Sequence, residues 1–149
     1  MKKIAIVTGG AGFIGSHMVD FLIKKNFKVI VIDDLSGGNI KNIKQHLKRK
    51  NFLLLKKNIC DNPVDIKYIK KAHYIFHSAG KGDIVPSIQK PFQYFNTNVM
   101  GTINILELAR RLKVKKVVYA ASSSCYGLAK VPTTEKNKIS TLYPYALSK

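Results

Sequence analysis

Five short apolar runs punctuate the chain, and helix-patterned or polar segments separate them. Ile4 to Thr8 is continuously apolar, as a strand covered on both faces would be. Phe13, Ile14, Met18, Phe21 and Leu22 recur at helical spacing across Phe13 to Lys25. Phe27 to Ile32 is a second, β-branched run that ends at Asp33-Asp34. The loop Leu35-Ser36-Gly37-Gly38-Asn39 leads into a weakly helical stretch reaching Lys48, and Phe52 to Leu55 forms a third strand. Asp61 and Pro63 signal a helix start ahead of Val64, Ile66 and Ile69. His73 to His77 and Val117 to Ala121 are the fourth and fifth strands. A helix from Phe92 to Leu112 lies between them, carrying Val99, Ile103, Leu106 and Leu108. Strands alternating with helices imply right-handed crossovers and a parallel sheet. The expected fold is α/β, a Rossmann-type doubly wound sheet of order 3-2-1-4-5. No repeat, low-complexity tract or linker divides residues 1–149, which read as one domain.

The turn after the first strand carries the firmest chemistry. Gly9, Gly12 and Gly15 space as G-x-x-G-x-x-G between a strand and a helix, in Thr8-Gly9-Gly10-Ala11-Gly12-Phe13-Ile14-Gly15. Glycine there permits a tight turn, close backbone approach to a pyrophosphate, and helix-to-strand packing. The helix N-terminus adds unpaired N–H groups and a positive dipole end for the phosphates. Asp33 ends the second strand 18 positions after Gly15, where a carboxylate can bond the adenosine ribose hydroxyls. Asp34 fits the same spacing. A carboxylate at this place would repel a 2′-phosphate, so NAD is expected over NADP.

Composition adds little to this and excludes much. Of 149 residues, 46% are hydrophobic, enough for one real core. The net charge of +18 suggests nucleic acid until its makeup is considered: there are 26 basic residues, and only Arg49, Arg110 and Arg111 are arginines. Nucleic-acid readers lean on clustered arginine, whereas these lysines are scattered through every segment alongside frequent Ile and Asn. An AT-biased coding background accounts for them, and no nucleic-acid partner is expected. Cys60 and Cys125 are far apart and outside any C-x-x-C pattern, which argues against a disulfide framework or a metal site and fits a reducing compartment. The apolar run after Met1-Lys2-Lys3 breaks at Thr8, too early for a signal peptide. No run approaches the ~18 apolar residues of a membrane helix, so a cytoplasmic protein without a membrane partner is expected.

Two further features bring reacting groups. Ser122-Ser123-Ser124 leaves the C-terminal end of the fifth strand, the edge that faces the ligand crevice in open α/β sheets. Tyr145 and Lys149 stand i, i+4, on one face if their segment is helical. A neighbouring ammonium and a cationic nicotinamide would favour the phenolate of such a tyrosine. Taken in this order after the glycine turn, TGGAGFIG, HSAG, NTNVMGT, SSSCYG and YALSK resemble the extended short-chain dehydrogenases/reductases, the NAD-dependent nucleotide-sugar epimerases and dehydratases.

The resemblance implies roles by position. Ser122 would bond the 4-oxygen of the sugar, Tyr145 would act as general base and acid, and Lys149 would hold the nicotinamide ribose and tune Tyr145. Asn98 matches an asparagine below the site. Ala79 and Gly80 match the turn beside the cofactor. The amides of Phe13 and Ile14 match those that meet the pyrophosphate. Ser123, Ser124 and Gly82, the last in the loop Lys81 to Ser87, would line the sugar site. After the third strand the family shows Gly-Asp-Ile, whose Asp accepts from the adenine amino group. This chain has Lys57-Asn58-Ile59, so Asn58 would accept through its amide oxygen, without charge assistance. His77 reads as a structural hydrogen-bonding residue.

Dehydratases and decarboxylases of the family carry acidic residues just after the catalytic Ser or Thr. Ser123 and Ser124 cannot serve as that acid–base pair. A UDP-sugar 4-epimerase, an isomerase acting through a 4-keto intermediate, is therefore expected, with a 4,6-dehydratase, a reductase or a non-catalytic NAD-binding module as alternatives. The resemblance also implies a homodimer, further strands, and a smaller C-terminal substrate region beyond Lys149. Residues 1–149 alone are expected to be an incomplete domain, inactive and poorly soluble, with the fifth strand an exposed edge.

Overall fold

The computed structural model describes residues 2–61 and 69–149. The helix start expected at Asp61 and Pro63 falls largely outside the described residues. Strand β1 (Ile4–Thr8) is followed by helix α1 (Phe13–Lys24), strand β2 (Lys28–Ile32), a 3₁₀ segment (Ile40–His46) and strand β3 (Phe52–Leu55). Strand β4 (Tyr74–His77), helices α2 (Ile84–Gln89), α3 (Pro91–Phe95) and α4 (Gly101–Leu112), strand β5 (Lys116–Tyr119) and helix α5 (Pro144–Leu147) complete the order. All pairings are parallel, in the order β3-β2-β1-β4-β5. This is the doubly wound order expected from the alternation of elements.

Side chains alternate across the sheet with period two, and the two faces differ in size. Ile6, Ile30, Ile32 and Ile75 point to one face and meet Ile105 and Leu108 of α4. Ala5, Val7, Val29 and Val31 point to the other, against Val19, Leu22 and Ile23 of α1. Smaller residues on the α1 side let that helix lie close to the sheet, which the glycine turn also requires. The third strand and the glycine-turn helix match their expected spans almost residue for residue.

Three expectations change. The segment Lys81 to Ser87, read as a loop, turns into α2 at Ile84. The helix expected from Phe92 to Leu112 is continuous, but a π turn over Asn96–Met100 separates α3 from α4. The fifth strand ends at Tyr119, because Ala120 and Ala121 already turn toward the serine run. It is an edge strand, as expected, with Val118 on its exposed side.

Ile6 is fully buried at the centre of the sheet. Ile6→Ala is expected to lower unfolding stability by about 2–5 kcal/mol, whereas the exposed Ile14→Ala should change it by less than about 0.5 kcal/mol. Parallel urea titrations followed by circular dichroism would measure both.

Candidate functional site

The glycine turn is held by contacts that leave no room for side chains. Gly9 adopts φ +65° and donates its N–H to the Ile32 carbonyl at 2.9 Å. A Cβ at Gly9 would lie 2.7 Å from the Ala79 nitrogen, so the turn after β4 presses directly on it. A Cβ at Gly15 would run into the Gly9 carbonyl, so α1 can start this near β1 only with glycine there. The helix has no side-chain cap, and its first bond runs from Ser16 N to Gly12 O at 3.0 Å. The amides of Phe13, Ile14 and Gly15 precede that bond and are open to a ligand. The side chains of Phe13 and Ile14 point to solvent.

Asp33 turns out to brace this turn from the end of β2. It is buried, and its Oδ2 accepts from Ala11 N while Oδ1 accepts from Leu35 N, each at 2.8 Å. Asp34 faces the neighbouring strand. Its Oδ1 accepts from Ser36 N at 2.9 Å and Ser36 Oγ at 2.6 Å, and its Oδ2 accepts from Asn58 Nδ2 at 2.8 Å. Asn58 is held from its other end as well, its amide oxygen accepting from Cys60 N at 2.8 Å. Ile59 is buried after β3, and its carbonyl accepts from Asn104 of α4 at 2.9 Å.

These residues bound a cleft of about 450 Å³ along the C-terminal ends of β1, β2, β3 and β4. Gly9, Gly12, Asp33, Asn58, Ile59, Ala79 and Gly80 all line it. Sequence reasoning missed Ser36, Gly37 and Gly38, taken as a plain loop, and Lys57 and Lys81, which lie on the same walls. The Gly37-Gly38 pair was the available signal. Phe13, Ile14, Gly15, Asn98, Gly82, Ser122, Ser123, Ser124, Tyr145 and Lys149 are not part of the cleft wall.

A second cluster adjoins the cleft. Ser122 begins the 3₁₀ turn Ser123–Tyr126 after β5, with its Oγ accepting from Ser124 N at 3.2 Å. Helix α5 lies beside that turn and against α2 and α3. It is only four residues long and ends before Lys149, so Tyr145 and Lys149 do not share a regular helical face. Buried polar groups hold it instead of helix length. Ser87 Oγ accepts from Tyr145 N at 3.1 Å, and Ser148 Oγ donates to Tyr145 O at 2.8 Å. Asn98 Nδ2 donates to Ser148 Oγ at 2.8 Å, and its other bonds fix both backbone atoms of Lys81. Asn98 therefore ties α5 to the turn after β4.

Lys149 is anchored at the end of β5. Its Nζ donates to Ala120 O at 2.5 Å and lies 4.7 Å above the centre of the Tyr119 ring. Burial lowers its pKa. The Tyr145 ring meets Tyr94 edge-on at 6.5 Å and stacks against Tyr143. Cys60 and Cys125 are free thiols, and burial raises the Cys60 pKa, which leaves it unreactive. Among the described residues no group of His, Cys, Asp or Glu could hold a metal ion, and no helix is long and apolar enough to cross a membrane.

His77 connects the two clusters, and its hydrogen bonds have a fixed direction. Thr102 Oγ1 donates to Asn98 O at 2.5 Å, so it must accept from His77 Nε2–H, 2.9 Å away. Nδ1 is then an acceptor and takes the hydroxyl hydrogen of Thr8, 2.5 Å away. Thr8 Oγ1 in turn accepts from Ala79 N at 3.2 Å. The imidazole is neutral and buried, and its pKa is pushed down to about 4 by burial and, secondarily, by the Lys149 ammonium. It is structural, as its sequence context suggests.

The comparisons with known proteins follow this geometry. Residues 6–149 match the family model for GDP-mannose 4,6 dehydratase. The chain belongs to this family of extended short-chain dehydrogenases/reductases. It is 35% identical over 153 residues to a UDP-glucose 4-epimerase of Yersinia enterocolitica, covering 97% of this chain and 45% of that protein. The structure of a UDP-N-acetylglucosamine 4-epimerase from Methanobrevibacter ruminantium, in complex with UDP-N-acetylmuramic acid, superposes with a TM-score of 0.90 at 34% identity. That match covers 99% of this chain and 47% of that one. A Thermus thermophilus UDP-glucose 4-epimerase in complex with NAD gives a TM-score of 0.87 at 29% identity over 98% of this chain and 47% of that one. The chain thus spans about half the length of the curated relatives it matches.

The low His77 pKa has a consequence for acid stability. An unfolded histidine protonates near 6.5 and the folded one near 4, so the unfolded state binds the extra proton between these values. Stability from this group is complete above pH 6.5 and lost as pH falls toward 4, by about 3 kcal/mol in total. His77→Gln is expected to be less stable at pH 7 by about 1–3 kcal/mol but to lack this slope. Urea unfolding of both proteins at pH 7, 6 and 5 would show whether the curves converge.

Proposed function

We propose that this chain is the NAD-binding portion of a nucleotide-sugar 4-epimerase. The fit to NAD rests on the cradle. The contacts of Gly9 and Gly15 exclude any side chain, the first three amides of α1 have no partner within the helix, and a cleft leads from Gly9 and Gly12 past Asp33 to the end of β3. The amides of Phe13, Ile14 and Gly15 would hold the pyrophosphate. Asp33 has used one acceptor site on each carboxylate oxygen and has others left for the ribose hydroxyls. Ala79 and Gly80 would form the floor near the nicotinamide end, with Lys149 beside Gly80. Bound there, NAD supplies reversible hydride acceptance from the sugar carbon that is oxidised.

The chain's own residues would handle the proton and the orientation of the sugar. Tyr145 removes the 4-hydroxyl proton and later returns it, and Ser122 bonds the same oxygen. The clamp of Ser87, Asn98 and Ser148 fixes the backbone that carries Tyr145. The observation that favours epimerisation over dehydration is the serine run itself. Ser123 and Ser124 follow Ser122 with no carboxylate through Gly127, and eliminating water needs a further acid and base beyond the tyrosine. UDP-sugars are the favoured substrates, since the UDP-glucose and UDP-N-acetylglucosamine 4-epimerases above share this arrangement of elements.

Incubation of the full-length protein that carries this chain with UDP-glucose and NAD should yield the 4-epimer at unchanged mass, whereas residues 1–149 alone should show no turnover. Tyr145→Phe should slow the conversion by about 10²-fold or more while leaving NAD affinity nearly unaltered. A product lighter by one water would replace the epimerase with a 4,6-dehydratase. NAD binding without a product of either kind would favour a non-catalytic cofactor-binding module.

A further inference from the structure

Resting on the NAD reading above, we propose that Asp34, braced by Asn58, reads the exocyclic amino group of the cofactor's adenine. The acidic acceptor of the adenine pocket would then stand at the end of β2, not in the turn after β3. The two side chains meet across the sheet, with Asn58 Nδ2 donating to Asp34 Oδ2 at 2.8 Å, and both line the cleft. The orientation of the amide is fixed. Asn58 Oδ1 accepts from Cys60 N at 2.8 Å, and a flipped amide would set NH₂ against that N–H and oxygen against the carboxylate.

Counting donors then shows what the pair has left. A carboxylate has about four acceptor positions. On Asp34, Oδ1 takes two donors from Ser36 and Oδ2 takes one from Asn58, leaving a single acceptor position on Oδ2. Asn58 Nδ2 keeps one unused N–H, and its Oδ1 keeps one uncharged acceptor position beside the bond from Cys60 N. An open acceptor beside an open donor complements adenine, whose amino donor stands next to a ring-nitrogen acceptor. Asp33, which braces the glycine turn, is the carboxylate assigned to the ribose hydroxyls instead. Ile32 and Ile59 border the same cleft. The pair carries one negative charge, and a second carboxylate at position 58 would face the first at hydrogen-bond range.

Titration calorimetry of the chain with NAD and with nicotinamide hypoxanthine dinucleotide tests this, because the analogue carries an oxo group in place of the amino group. The native chain should prefer NAD. Asp34→Asn should weaken NAD about tenfold and bring the two nucleotides close to equal affinity, as a charge-assisted bond is lost. Asn58→Asp should weaken NAD, and the exchange Asp34→Asn with Asn58→Asp should recover most of the affinity and the preference. Unchanged NAD affinity and preference in Asp34→Asn would overturn the proposal, and so would an exchange no better than Asn58→Asp alone. If Asp34→Asn does not fold, the exchange variant decides: retained preference supports the assignment and lost preference overturns it. A native chain that binds NAD and the analogue equally overturns this inference alone. One that binds neither overturns the proposed function as well.

Discussion

The structure turns on how closely the turn after β4 can approach the turn after β1. Ala79 lies where a Cβ of Gly9 would be, and its amide is tied to Thr8, the last residue of β1. Thr8 is bound to His77, and His77 through Thr102 to the carbonyl of Asn98. This sequence of bonds has one consistent direction, and it sets the imidazole tautomer without reference to solvent. Its effect is mechanical. Two strand ends and one helix are held at a spacing that only glycine at position 9 allows, and the floor of the cleft is the outcome.

The same network reaches the reacting groups by a different branch. Asn98 receives Thr102 on its backbone and uses its side chain to hold Lys81 and Ser148. Ser148 holds Tyr145. An isolated four-residue helix has too few internal bonds to persist, because nucleation costs more than it returns at that length. Here the shortage is met by three buried side chains, Ser87, Asn98 and Ser148, each with its polar atoms engaged. Position in space is thus set by neighbours from distant parts of the chain, and the cofactor cleft and the tyrosine share one support.

This division explains what could be read from the sequence. Periodicity and the G-x-x-G-x-x-G spacing identify β1, α1, β2 and the sheet order, since these depend on local pattern and on general crossover rules. Asp33 was legible as a site residue. Its brace on Ala11 and Leu35 was not, because that depends on a loop path no periodicity encodes. Helix α2 escaped notice because its six residues include Pro86 and carry no long apolar stripe. The inward turn of Lys149 toward Ala120 and Tyr119 was equally hidden. An i, i+4 spacing implies a shared face only where the helix continues, and α5 stops at Leu147. The pairing of Asn58 with Asp34 and with Cys60 N was hidden for the same reason, since position alone does not show which side chains meet across the sheet.

Charge is the feature that misleads most when taken alone. The net +18 invites an electrostatic account of anion binding, yet the groups around the glycine turn are backbone amides and carboxylates. Two of the three arginines pair with Glu107 on the outer face of α4, away from the cleft. Lys57 and Lys81 lie on the cleft wall and add general attraction for a phosphate, but a flexible ammonium selects poorly among anions. Selectivity needs donors whose positions are fixed before the ligand arrives. The amides of Phe13, Ile14 and Gly15 meet that condition because Gly15 and Gly9 are pressed together, and Asp33 keeps Ala11 from rotating out of the turn. The proposed pyrophosphate cradle would therefore owe its specificity to the absence of side chains at two positions, with the scattered lysines contributing only a long-range field.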